Sequence, residues 1–349
     1  MSKITAVGLL SGGLDSSIAC RLIQNQGVEV KAINFYTGFC TTDFRRQVNR
    51  QKAKGKVYSN ESLQSAAALK IEIEYIDISA TYIKDVLVKP KHGYGSAMNP
   101  CLDCRGYMLA RAKKYMEDAG AQFVFTGEVL GQRPMSQYRK ALDIVAEESG
   151  LGRLLVRPLS AQLLPPTIPE ENGWIDREKL AGISGRSRKE QYRLAEELGV
   201  SVYSQPAGGC CSLADVSYGK KFRDLLSHME EGTIPSLDDV ILLKVGRHFR
   251  PSESLKVVVG RDEVENKFLE RYSGDGRAVL TSIDVVGPVT IAEGHLEANE
   301  LQTAAAITAR YADHEGADTI RIKYEYRDTS GIMEVHPVET QQLDAWRVC

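Results

Sequence analysis

An α/β fold, a parallel sheet with helices on both faces followed by a smaller C-terminal α+β domain, is what the sequence predicts. Three observations predict it. Strand-like and helix-like segments alternate through the first half of the chain. Several of the strand-like runs are continuously apolar, as strands buried on both faces are. After "EEGTIPS" at 230–236 the alternation gives way to short strands and turns, which places a domain boundary between 1–233 and 234–349.

In order, "ITAVGLL" reads as a buried strand, residues 15–26 as a helix and "VEVKAINFY" as a second strand. A helix over 61–69, the alternating strand "IEIEYIDI", a helix over 107–119 and the buried strand "AQFVFTG" follow, then a helical stretch over 136–148. Such alternation builds a parallel sheet, and parallel sheets bind ligands beyond the carboxyl ends of their strands. Residues 158–185, with "LPPTIPEENG", read as an excursion from the core. Ser187 and Glu190 have capping-box spacing, predicting a helix from Ser187 to near Gly199.

The chain has 349 residues, enough for about two domains. It is 43% hydrophobic and 26% charged, with no apolar run of membrane-spanning length and no export signal at its start. A cytoplasmic protein is expected. Seven cysteines, an odd number, argue for reactive or metal-binding thiols over a disulfide framework. The net charge of −2 conceals an asymmetry: +5 over residues 1–233 and −7 over the remainder. A polyanionic partner is therefore expected on the first part.

"LLSGGLDSSIAC", residues 9–20, joins the first strand to the first helix. Two adjacent glycines let backbone N–H groups approach a ligand at the positive end of that helix. Ser11, Ser16 and Ser17 add hydroxyls, and Asp15 stands where a magnesium ion held by phosphates would lie. No Lys follows as in a Walker loop, and G-x-G-x-x-G is absent. The stretch resembles the pyrophosphate loop, S-G-G-x-D-S, of the N-type ATP pyrophosphatases, which have an adenine nucleotide α-hydrolase-like fold. The resemblance implies ATP on Ser11, Gly12, Gly13, Asp15, Ser16 and Ser17, with adenine near Asn34 and Phe35. Gly127 and Glu128, after a strand of the same sheet, would close the site, with Gln132 and Arg133 near the phosphates.

"MNPCLDCR" places Cys101 and Cys104 in a C-x-x-C pair near the start of a predicted helix, and "PAGGCCSLAD" adds Cys210 and Cys211. Two spaced thiolates and one distant one suit three ligands of a [4Fe–4S] cluster with one iron left open. Zinc would want four ligands, an isolated C-x-x-C would suit a redox dithiol, and free cysteines are often simply buried. Cys20, Cys40 and Cys349 are read as structural.

Pyrophosphate-loop enzymes with this cysteine pattern resemble the tRNA 2-thiouridine and 4-thiouridine synthetases. "GCCSLADVSYGKKF" is similar to a Gly-x-Cys segment of the former, which puts the third cysteine on Cys211, with Cys210 the alternative. "NPCLDCR", "TGEVLGQRPMSQ" and "GRSRKEQ" resemble thiouridylase-like proteins joined to a domain related to the NFACT RNA-binding domain, and "LLKVGRHFR" and "KVVVGRDEVEN" resemble that domain. The resemblance implies an ATP-dependent sulfurtransferase that adenylates a tRNA base carbonyl, with Asp15, Cys101, Cys104 and Cys211 at its chemistry. ATP, Mg2+ and a [4Fe–4S] cluster are its implied cofactors. Its implied partners are tRNA and a source of sulfide or a sulfur-donor protein. Two departures leave the target base open: Glu128 stands where the 2-thiouridine synthetases carry His, and the N-terminal RNA-binding extension of the 4-thiouridine synthetases has no counterpart before residue 11.

"FRRQVNRQKAKGK", residues 44–56, has six basic residues and no acid, including Arg45, Arg46, Arg50 and Lys52. Arg186, Arg188 and Lys189 form a second cluster. Both are expected to meet RNA phosphates. In the acidic C-terminal domain a local patch of Arg247, His248, Arg250 and Arg261 is the candidate. A pyrophosphatase acting on a small molecule would share the loop and need no basic arm. A non-catalytic RNA-binding protein would not need the loop intact.

Overall fold

A computed structural model describes residues 3–40, 60–204, 211–272, 274, 276–313 and 316–349. The chain divides into two compact units, Met1–Gly38 with Val57–Gly95 and Asn99–Cys210, and Phe39–Lys56 with Ser96–Met98 and Cys211–Cys349. Residues 211–233, grouped above with the first domain, thus cluster with the second unit.

The first unit is built on a five-stranded parallel sheet of order β3-β2-β1-β4-β5. Its strands are β1 (Thr5–Leu9), β2 (Glu29–Tyr36), β3 (Glu72–Asp77), β4 (Phe123–Phe125) and β5 (Leu155–Val156). The period-two alternation sends Ala6, Val30, Ala32, Phe123 and Phe125 to one face. There they pack on Ala19, Cys20 and Ile23 of the first helix (Leu14–Gln24), and on Ala66 and Leu69 of the helix Glu61–Leu69. Val7, Ile33 and Val124 face the other way, onto Leu109, Ala112 and Met116 of the helix Cys101–Asp118 and Val145 of the helix Arg139–Glu148. Burial of each such side chain contributes about 1.5–3 kcal/mol. Gly8 is needed because a Cβ there would stand 2.5 Å from the Phe125 ring in the neighbouring strand.

The expected helix over 61–69 forms over those residues, with Asn60 accepting from the Ser62 N–H and Lys70 closing it in the left-handed region. The helix expected from residue 107 begins instead at Cys101, six residues earlier, so Cys101 and Cys104 occupy its first turn. Its apolar stripe is confined to the later turns, where Leu109, Ala112 and Met116 are buried. The capping box at Ser187 does not form. The helix runs Lys189–Glu197, Ser187 Oγ accepts only weakly from the Lys189 N–H (3.4 Å), and Glu190 pairs with Arg193. That helix lies along the first one through Ala195, Val200, Leu14 and Ile18.

The second unit carries a six-stranded antiparallel sheet of order β11-β10-β8-β9-β7-β6. Its strands are β6 (Arg247–Ser252), β7 (Leu255–Val259), β8 (Ala278–Ser282), β9 (Val289–Gly294), β10 (Ile320–Tyr326) and β11 (Thr329–Val335). The helix Ala298–Arg310 covers one face through Leu301, Ala304, Ala305 and Ile307. No helix among the described residues is long and apolar enough to cross a membrane.

Candidate nucleotide site and thiol pair

Strand order reverses between β1 and β4, because β2 and β3 extend the sheet one way and β4 and β5 the other. Such a switch point opens a crevice at the carboxyl ends of the two central strands. The Ser11–Gly13 turn and the 126–128 segment leave the sheet at this crevice. Gly127 seals the two together. A Cβ on it would stand 2.6 Å from the Asp15 carbonyl carbon and the Ser16 nitrogen.

The turn itself is tied from behind. Gly12 takes a φ of +79°, and a Cβ there would meet the Glu61–Ser62 backbone at 2.5 Å. Its carbonyl accepts from the Ser204 N–H (2.8 Å), Ser204 Oγ (3.2 Å) and Ser65 Oγ (3.3 Å). Ser16 Oγ and Ser17 Oγ both donate to Gly13 O at 3.0 Å, and Ser11 Oγ lies 3.2 Å from Ser16 Oγ. Gly13 is the N-cap residue and supplies no side-chain cap. The amino end of an 11-residue helix is thus left with its N–H groups and positive dipole end for an anion.

Asp15 sits in the first turn of that helix. Its Oδ2 accepts from Gln132 Nε2 at 2.7 Å, and Gln132 Oε1 accepts from Gln191 Nε2 at 2.9 Å. Asp15 Oδ1 is buried with no hydrogen-bond partner, as is Arg188 Nε. Burial pushes the Asp15 carboxyl above the usual carboxylate range, outweighing the Gln132 hydrogen bond and the charges of Arg188 and Arg133. An oxygen without a donor among the described residues, beside the open amino end of a helix, suits a divalent cation. Arg188, grouped above with exposed RNA-facing residues, is therefore half-buried with its charge on Asp15, whereas Arg186 and Lys189 are exposed.

Glu128 lies beneath the site. It is 2% exposed; its Oε2 accepts from Arg157 Nε (3.1 Å) and Thr126 Oγ1 (3.1 Å), and Arg105 Nε stands 3.7 Å from Oε1. Burial raises its carboxyl, but Arg157 and Arg105 more than offset this and hold it below the usual range. Asn34 donates to Leu10 O at 2.8 Å, at the end of β1, and Phe35 packs against the Val7–Leu109 cluster. Sequence reasoning missed Ser65, Gln191, Ser204 and Arg157. A polar residue on a buried helix face, as Gln191 is at 0% exposure, was the only available signal.

Cys101 and Cys104 are half-buried cysteines. Asn99, itself buried, donates from Nδ2 to Cys101 Sγ at 3.1 Å, and the Gly95 N–H donates to Asn99 O at 3.0 Å. Asp103, between the cysteines, accepts from the backbone N–H groups of Lys91 and His92 and fastens that loop to the helix. Cys211, also half-buried, opens a 3-10 turn in the second unit and bridges to Cys40. Among the described residues no three of His, Cys, Asp and Glu gather as a metal-binding group. Cys210, Arg45, Arg46, Arg50 and Lys52 lie outside the described residues. Cys20 is fully buried, its thiol pushed up to about 12.

In the second unit the expected basic patch is dispersed. His248 is 1% exposed, and burial holds its ring well below the usual value. Arg247 lies over the Tyr311 ring, Arg261 pairs with Glu265, and Arg250 with Asp224. On an edge strand of alternating orientation, neighbours in sequence face different surroundings.

The parallel sheet, its switch-point crevice and the serine–glycine turn together form an α/β domain of the pyrophosphate-loop type of fold. Residues 2–162 match the family model described as thiamine biosynthesis protein (ThiI), and residues 246–347 that of the NFACT protein RNA binding domain. The tRNA-specific 2-thiouridylase MnmA of Thermotoga petrophila is 25% identical over 253 residues, covering 69% of this chain and 64% of that protein. A probable tRNA sulfurtransferase of Thermococcus kodakarensis is 30% identical over 153 residues, covering 44% and 36%. A 4-thiouridine synthetase–RNA complex with bound ATP aligns over 56% of this chain and 51% of that one, at 20% identity and a TM-score of 0.33. The chain spans at most 64% of the length of these curated relatives. The resemblance to pyrophosphate-loop tRNA thiolation enzymes, joined to an NFACT-type RNA-binding domain, is thus shown in two separate segments.

Proposed function

We propose that the protein is an ATP-dependent tRNA sulfurtransferase, which adenylates a base carbonyl of tRNA, that of a uridine, and replaces its oxygen with sulfur. The observation that carries the reading is the uncapped amino end of the first helix, opening at the β1/β4 switch point beside Asp15 and its orphaned oxygen. The N–H groups and serine hydroxyls of residues 11–17 bind the outer phosphates. Arg133 and Arg188 add positive charge where pyrophosphate departs. The carbonyl oxygen attacks the α-phosphorus, the bond to the β-phosphate oxygen breaks, and the base becomes an adenylate. Sulfur then bonds to the same carbon, and the oxygen leaves with AMP. Adenylation is required because a pyrimidine carbonyl oxygen is otherwise a poor leaving group.

Asp15, through Oδ1, would hold Mg2+, which when bound offsets phosphate charge. Cys101 and Cys104 would carry the sulfur chemistry with Cys211 or Cys210 as third thiol. A [4Fe–4S] cluster on them, when bound, supplies an iron with an open position; the described residues gather only two of its three thiols, so no step is assigned to it. Anaerobically purified protein should contain about four irons and four sulfides per chain, lost in Cys101→Ala. Absence of iron after reconstitution would leave a persulfide relay instead. For the ATP chemistry, pyrophosphate release should be stimulated by tRNA and abolished in Asp15→Ala. Release indifferent to tRNA would point to a small-molecule substrate.

A further inference from the structure

In the second unit a cavity of about 470 Å3 lies between the helix Val216–Ser227 and the segment 345–348. Lys220, Arg223, Arg250 and Arg347 line it, with Trp346 and a single carboxylate, Asp224. This is not the charge balance of the unit, for residues 211–349 carry 16 basic against 24 acidic side chains. Four cations to one acid is therefore a local inversion of an acidic unit, and local inversions mark where an anion sits.

The lone acid does not cancel the cations. Asp224 accepts from Arg250 at 3.0 and 2.8 Å, and buried Lys256 Nζ stands 3.2 Å from its Oδ2, so one carboxylate already faces two positive groups. Arg223 is fixed by a neutral acceptor, Ala97 O, at 2.8 Å, and has no ion pair among the described residues. Arg347 is brought beside Arg250 because its segment bridges to β6 at Phe249, and the Val348 N–H donates to His248 O at 3.0 Å. Its guanidinium carbon lies 5.6 Å from the Phe249 ring centroid, and its Nη2 stands 3.5 Å from Asp344 Oδ1, a long contact with a carboxylate outside the cavity lining. Lys220 is exposed and has no ion pair among the described residues. Three of the four cations are thus held in place before any ligand arrives, which lowers the entropy cost of binding.

We propose that this cavity seats a backbone phosphate of a single-stranded RNA segment, with a neighbouring base against Trp346. Fixed guanidiniums match phosphate oxygens, and an aromatic side chain among cations is the arrangement that takes a strand by phosphate and base face together. A free phosphate would use the cations and leave the indole idle. The proposal rests on the reading that the partner is an RNA, and not on the ATP chemistry.

The chain has two tryptophans, so Trp174→Phe leaves Trp346 as the sole reporter. An unstructured RNA oligonucleotide is titrated into that variant without ATP, following indole fluorescence and the salt dependence of affinity. RNA should quench Trp346 saturably. Adding Lys220→Glu and Arg347→Glu should weaken binding about tenfold or more and make the log K against log salt slope shallower by about 0.7, the loss of one phosphate contact on a single strand. Arg321→Glu, on β10 and paired with Asp284, should change neither. Unchanged affinity and slope in a charge-reversed variant that melts normally would overturn the proposal. Equal quenching by inorganic phosphate would overturn the RNA assignment. Intact binding with no tRNA-stimulated pyrophosphate release would instead sink the sulfurtransferase reading and leave this site standing.

Discussion

Asp15 keeps a buried carboxylate oxygen, Oδ1, that no hydrogen bond among the described residues satisfies. Its folded-state pKa is raised above the unfolded value, so the ionised form costs stability as pH rises through the folded value, and the cost is absent in acid. Asp15→Asn should therefore abolish pyrophosphate release yet raise the melting temperature by a few degrees at pH 7, with the gain shrinking towards pH 4. A lower melting temperature at pH 7 would show the carboxylate to be a structural asset. Arg188 opposes that rise, so Arg188→Met should push the Asp15 carboxyl higher still. The acid limb of the pyrophosphate-release profile should move to higher pH, and an unmoved limb would separate Arg188 from Asp15. The motif placed Asp15 from sequence, but Arg188 read as one of three basic neighbours. Only packing of the helix 189–197 on the first helix distinguishes it from Arg186 and Lys189.

At the scale of elements, the 126–128 segment is held to the β1 turn by the close approach of Gly127 to Asp15 and Ser16, and to the segment after β5 by the buried Glu128–Arg157 ion pair. The two neighbours in sequence do opposite work. Gly127→Ala drives a Cβ into the Asp15–Ser16 backbone, and should weaken ATP binding at least tenfold by displacing the turn. Glu128→Ala strands Arg157, 7% exposed, and should cost about 3–5 kcal/mol of unfolding free energy. Denaturant melts and ATP titrations of both variants would check the division, and equal stability losses would refute it. The strands and first helix were legible because their apolar runs are long and their burial is two-sided. The start of the helix Cys101–Asp118 was not, because Pro100 stands at its N-cap and none of its residues before Leu109 is fully buried. β5, two residues long, is too short to show any period.

At the scale of the whole molecule, two units with separate cores carry separate features: the serine–glycine turn and the Cys101–Cys104 pair on the unit with the parallel sheet, and a cation-lined cavity on the unit with the antiparallel one. The motif-bearing first unit was readable in outline, whereas the cavity was not, since Lys220, Arg223, Arg250 and Arg347 lie far apart in sequence and meet only once the segment 345–348 bridges to β6. The central claim, that ATP cleavage to AMP and pyrophosphate serves sulfur insertion into tRNA, is tested most directly by incubating unmodified tRNA with protein, ATP, Mg2+ and sulfide without oxygen, then analysing its nucleosides by mass spectrometry. Wild type should exchange one oxygen for sulfur on a uridine for each pyrophosphate released, while Cys104→Ala binds ATP normally and yields no thiolated base. Pyrophosphate release with no thiolated nucleoside in any tRNA, or full thiolation by Cys104→Ala, would contradict it.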